Sequence, residues 1–160
     1  MHARTGILLD FLDSAFDKRS FHGTTLKGAL RGLDTKTALW RPAPDRHNVW
    51  EYFLHAAYWK YIVRRHLVAD PPSGFGRSPS NWPAVSAQAT QKALKADIEF
   101  LRDEHAALRS AVTVFPAKRL DTSAGKGLTY RNLIQGVAAH DLYHTGQIQL
   151  LKKLAPARTR

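Results

Sequence analysis

The chain has 160 residues, 44% of them hydrophobic and 23% charged, and its 24 Lys and Arg against 13 Asp and Glu leave a formal charge of +11. That length and composition suit one globular domain, residues 1–160, with a real core, and exclude two full domains, a fibrous chain or a disordered one. With no cysteine there is no disulfide, no thiolate nucleophile and no Cys-containing metal site, so a metal falls to His, carboxylate or carbonyl groups and sulfur chemistry needs a thiol from outside.

The longest uncharged apolar run, Tyr52 to Trp59, is far shorter than the roughly 20 residues of a membrane span. The stretch Ile7 to Leu12 is cut by Asp10 and followed by no small-residue cleavage site, so we expect a cytoplasmic protein without membrane association. The positive charge favours acidic partners, but the basic residues are scattered; Lys60, Arg64, Arg65 and the tail from Lys152 to Arg160 read as solvated faces.

Apolar residues recur at helical spacing from Ile7 through Leu12, Ala15, Leu26 and Leu30 to Leu33, which predicts a first helix over about Thr5–Leu33 with a weak point at His22 and Gly23. Pro42 and Pro44 mark a connection. Asn48, followed three residues later by Glu51, is a capping arrangement that opens a second helix, Val49 to about Ala69, stopped by Pro71 and Pro72. Residues 71–83 hold four prolines, two glycines and three serines, the composition of a long crossover loop. A third helix is expected over about Ala84–Val112, ending before Pro116. After the turn-rich stretch Asp121–Gly127, Thr129 is a suitable N-cap for a fourth helix over Tyr130–Leu154. No strand is predicted. The expected fold is all-α, a four-helix bundle with long crossover connections, an architecture that commonly builds metal or cofactor sites between facing helices.

The fourth helix carries His140 and His144, and an i, i+4 pair projects two imidazoles from one face with Cβ atoms about 5 to 6 Å apart, within reach of a common ion. At about 100° per residue Leu133, Gly136, Val137, His140, His144, Gln147 and Leu151 share one stripe, which points the pair at the core. Two adjacent inward imidazoles repel when charged and each needs an acceptor, a cost that a shared cation removes. A metalloprotease of the HExxH type takes its third ligand downstream, yet residues 145–160 contain no His, Asp, Glu or Cys. Asp141 replaces the glutamate of that motif; one methylene shorter and to the side of the pair, it is as suited to orienting a ligand or packing on a neighbouring helix as to acting as a base.

The third ligand must then lie upstream, among His2, His22, His47, His55, His66 and His105. His55 sits mid-helix on the face of Trp59 and Ile62, beside Ala56 and Ala57, which allow close helix approach. His66 lies on the same stripe but next to Arg64 and Arg65, and His105, among Arg102, Asp103, Glu104 and Arg109, is expected to be solvated. The choice is His55, His140 and His144. Three neutral nitrogens leave coordination positions open, as in a catalytic site, and suit Zn, Ni, Fe(II) or Co without distinguishing them. Gln147, one turn past His144, is placed to bond a metal-bound water or substrate, and Tyr58, Trp59 and Tyr143 are candidates to line the mouth.

The run His140-Asp141-Leu142-Tyr143-His144-Thr145-Gly146-Gln147-Ile148 resembles the HxxYHxGQI signature of the DinB-like (DinB/YfiT) superfamily, and Asn48-Val49-Trp50-Glu51-Tyr52-Phe53-Leu54-His55 with Trp59-Lys60 resembles its first-histidine motif. The resemblance implies a bacterial four-helix bundle with a three-histidine metal site, His55, His140 and His144 being the ligands. Members similar to this chain include S-transferases that use bacillithiol or mycothiol and a mycothiol-dependent maleylpyruvate isomerase, and homodimers are common among them. The implied function is metal-dependent transfer of a low-molecular-weight thiol to an electrophilic small molecule. A hydrolase that activates water at the same metal is the alternative. A basic nucleic-acid-binding helical protein with a structural metal ranks below both, since the chain has no helix-turn-helix spacing, no basic arm and no aromatic interleaving of its Lys and Arg.

Overall fold

The computed structural model describes residues 2–71, 74–79, 81–85 and 88–156. Its helices are α1 (Ala3–Phe16), α2 (Leu26–Ala29), α3 (Thr35–Leu39), α4 (Val49–Leu67), α5 (Gln91–Val114) and α6 (Tyr130–Leu154); a two-stranded ribbon, β1 (Ser123–Gly125) and β2 (Leu128–Thr129), precedes α6. The fold is all-α apart from that ribbon. The four long helices form the bundle: α4 packs on α5 and α6, and α1 packs on α6 and α5. No helix among the described residues is long and apolar enough to cross a membrane.

The first predicted helix is broken. It stops at Phe16, and the chain restarts where Thr25 Oγ1 accepts the Gly28 N–H and Asp34 Oδ1 accepts the Thr37 N–H, each cap satisfying an amide that a continuous helix would bond internally. Gly23 and Gly32, with φ of 98° and 68°, take the left-handed turns between these pieces. The third predicted helix also starts late. Thr90 caps α5 by accepting the Ala93 N–H, while Ala84 N–H bonds the Ser78 carbonyl across the loop. Its end runs two residues past Val112, to Val114, where Phe115 turns extended ahead of Pro116. The second and fourth helices open as expected, on reciprocal capping boxes of Asn48 with Glu51 and of Thr129 with Asn132.

Two apolar clusters fill the bundle. One gathers Trp50, Phe53 and Leu54 of α4 with Leu94 and Leu101 of α5 and Ile148 of α6; the other gathers Leu8 and Leu12 of α1 with Leu108, Val112, Ile134 and Ala138. A set of buried polar groups accompanies them. Lys60 of α4, expected on a solvated face, is instead buried, and it forms with Asp141 of α6 an ion pair with no exposed surface on either side chain. His105 is buried, not solvated: it shares the α5 stripe of Leu101, Leu108 and Val112, and its ring stacks on Phe16 at 3.7 Å and 11°. Burial pushes its pKa down to about 3, with the nearby Lys60 charge acting in the same direction. Beside it Asp13 accepts from Arg109 at 2.8 and 3.1 Å and from Lys18 at 2.5 Å.

Candidate metal centre

The buried face of α4 supplies His55, and α6 supplies His140 and His144 one turn apart. The three Nε2 atoms converge: His140 Nε2 lies 3.2 Å from that of His55 and 3.0 Å from that of His144. The protonation pattern follows from what the other ring nitrogens do. His55 Nδ1–H donates to the Asn81 carbonyl at 2.6 Å, and His144 Nδ1–H donates to Gln147 Oε1 at 2.5 Å, so in the neutral rings both Nε2 atoms carry bare lone pairs. His140 sits between two acceptors and can donate to only one of them. Its own Nδ1 is buried without a partner among the described residues. Burial holds all three below the ordinary histidine pKa, His140 at about 3 and His144 at about 4, and in His140 the neighbouring His144, His55 and Lys60 charges add to the effect. At neutral pH three uncharged imidazoles therefore aim at one point with at most one proton among their three Nε2 atoms, an arrangement that suits a cation. The spacing fits: nitrogens at about 2.0 to 2.1 Å from an ion are separated by roughly 3.0 Å in octahedral and roughly 3.4 Å in tetrahedral geometry.

The loop read as a plain crossover contributes directly. Asn81 orients His55, and Trp82 stacks on His55 at 3.8 Å and 5° and on His47 at 3.7 Å and 3°. His47 is held in turn by Glu51 at 3.0 Å, the same carboxylate that closes the α4 cap. Neither Asn81 nor Trp82 was marked by spacing in the sequence; an aromatic residue in a Pro- and Ser-rich loop is the one local signal. Gln147 fixes the His144 ring, so its side-chain carbonyl is engaged by a candidate ligand and not by a substrate. Asp141 turns away from the triad to Lys60, its other oxygen is without a partner among the described residues, and it touches no ring nitrogen of the centre. Tyr143 is exposed, with its ring 5.0 Å from that of His144. His2, His22 and His105 belong to other parts of the molecule.

Beside the triad a cavity of about 880 Å³ opens between α4 and α6 under the β ribbon. His55 and His140 form one part of its wall, and Tyr58, Trp59, Ile62 and Val137 much of the rest; His66 lines it without joining the triad. Among the described residues no Asp or Glu lines it.

A helical bundle that brings three imidazoles from two helices to a common point, next to a cavity of ligand size, defines a class of proteins organised around a candidate mononuclear metal centre. The chain belongs to the DinB superfamily, whose family model matches residues 21–148, a span that includes all three histidines and the cavity wall. No curated protein and no solved structure matches the chain.

Proposed function

We propose that this DinB-superfamily chain is a metal-dependent enzyme that transfers a low-molecular-weight thiol to an electrophilic small molecule, with His55, His140 and His144 holding Zn, Ni, Fe(II) or Co. The observation that carries this reading is the convergence of three neutral imidazole nitrogens beside an apolar cavity, in a chain without cysteine. A divalent ion bound there lowers the pKa of a coordinating thiol, so that the sulfur is available as a nucleophile at neutral pH. The chain's residues contribute the rest. Asn81 and Gln147 hold two of the ligand rings in the productive tautomer, Trp82 covers one face of His55, and the apolar wall shields the reacting carbon from water. The thiol sulfur forms the new C–S bond, the leaving group departs with its electron pair, and the thiol proton neutralises it.

Hydrolysis at the same centre is less well supported. An ion can activate its bound water without a carboxylate, but among the described residues the cavity lining offers no carboxylate to take up the proton, and Asp141 is engaged by Lys60. The test is elemental analysis of tag-free protein and of His144→Ala, followed by assays of thiol consumption and of ester hydrolysis with the metal-loaded protein. Stoichiometric metal lost in the variant, with thiol-dependent turnover, is the expected result. Turnover without thiol, or metal content unaffected by His144→Ala, refutes it.

A further inference from the structure

Resting on the metal-centred reading above, we infer that the cavity selects an amphipathic anion: a small molecule with an apolar body, its reactive atom toward His55 and His140 and one anionic group held by Lys126 at the ribbon. The volume, about 880 Å³, is that of a small-molecule site. Its walls are mostly aromatic and aliphatic, Tyr58, Trp59, Ile62, Leu128, Leu133 and Val137 among them, so the body of the ligand is apolar. The charge is one-sided. Among the described residues Lys126 is the one side chain of fixed charge in the lining, no carboxylate opposes it there, and it makes no ion pair.

Two backbone observations bear on the charge and the room of this wall. Lys126 has φ 52°, and it is the one non-glycine residue with positive φ among the described residues. Its neighbours Gly125 and Gly127 are also left-handed, and a third glycine would fit there without the roughly 1 to 2 kcal/mol that a side chain adds in that region. The ribbon's two-residue turn, Lys126-Gly127, requires that positive φ, and an exposed lysine stands where glycine, asparagine or aspartate is the usual residue, at the rim of an apolar cavity. Gly136 lies in the middle of α6 and lines the same cavity, yet a Cβ built on it meets nothing within 4 Å. Close packing does not require glycine there, although glycine weakens a helix interior by about 1 kcal/mol relative to alanine. Its lack of a side chain leaves room in the cavity.

The experiment uses two fluorescent probes of similar shape, the anionic anilinonaphthalene sulfonate and the uncharged phenylnaphthylamine, titrated into the full chain and into Lys126→Met, Lys126→Glu and Gly136→Leu. Far-UV circular dichroism and metal content are read on each protein. The inference predicts that Lys126→Glu weakens the anionic probe at least about fivefold and Lys126→Met by less, while the neutral probe is unchanged in both. Gly136→Leu weakens both probes. The inference is overturned if the two probes respond equally to the Lys126 variants, or if Gly136→Leu with intact helicity leaves both affinities unchanged. A cavity covered by a second copy of the chain also overturns it, and shows as no binding of either probe with a sedimentation coefficient altered by Gly136→Leu. Because binding is read without turnover, failure of thiol transfer leaves this result standing, and loss of probe discrimination leaves the metal centre standing.

Discussion

The pair Lys60–Asp141 gives the sharpest energetic prediction. Both side chains have no exposed surface, and the pair joins α4 to α6 five residues past His55 and one past His140. Burial alone drives the Lys60 pKa down and the Asp141 pKa up; each is opposed by the other's charge and by the hydrogen bond between them. Replacing one partner leaves the other as an uncompensated buried group, a loss of about 3 to 5 kcal/mol, which is a large share of the roughly 5 to 15 kcal/mol that stabilises a domain. Asp141→Asn and Lys60→Met are each expected to lose that much in urea denaturation of metal-free protein. The double variant Lys60→Met/Asp141→Leu, which replaces the ion pair with apolar side chains, is expected to recover most of it. Closed with Asp141→Leu as the second single variant, the cycle should give a coupling energy close to the sum of the two single losses. Single losses below about 1 kcal/mol, or simple additivity in the double variant, refute the claim that the two charges depend on each other.

Three further outcomes follow from the same geometry. His105 titrates at about 3 in the folded chain and near 6.5 when unfolded, so the unfolded state takes up the proton first as pH falls. Its contribution is intact above 6.5 and is lost as pH drops toward about 3. Between pH 6 and 4.5 that amounts to about 2 kcal/mol, and urea melts of His105→Leu in chelator should show a correspondingly smaller loss than the parent; equal losses refute the assignment. Gln147→Leu, which frees the His144 ring, should weaken metal binding about 10- to 100-fold in competition with a chelating dye, whereas the exposed Tyr143→Ala leaves it unchanged. Thr90→Ala should cost about 1 kcal/mol, measured by thermal unfolding, because the Ala93 N–H loses its cap at the start of α5.

The centre was legible in the sequence because its chemistry is local on each helix. His140 and His144 are spaced by one turn on an apolar stripe, and His55 stands alone among apolar neighbours on α4, so periodicity orients all three before any contact is known. What periodicity cannot see is a break that keeps phase. Leu26, Ala29, Leu30 and Leu33 continue the spacing of α1 because the short segments carrying them face the same core, so the interruption registers only in the caps at Thr25 and Asp34 and the left-handed glycines. His105 shows the reverse error. Its charged sequence neighbours suggest solvent, but they lie on other faces of the helix, and its own stripe is that of Leu101 and Leu108. Strands of three and two residues are too short to carry a period at all.

The remaining misses are contacts between segments far apart in the chain, and these make the centre more than a pattern of ligands. A two-helix ligand set works only if the helices cannot slide, since moving α4 by one residue shifts His55 about 1.5 Å along the axis and rotates it about 100° away from α6. The Asn48–Glu51 box fixes where α4 begins, Asn81 and Trp82 grip His55 from a loop 26 residues on, and Lys60 ties α4 to the residue adjoining His140. Asp141 is therefore to be read with Lys60, as one half of the device that sets the register in which three imidazoles meet. That role explains why a carboxylate stands beside His140 and yet faces away from the cavity.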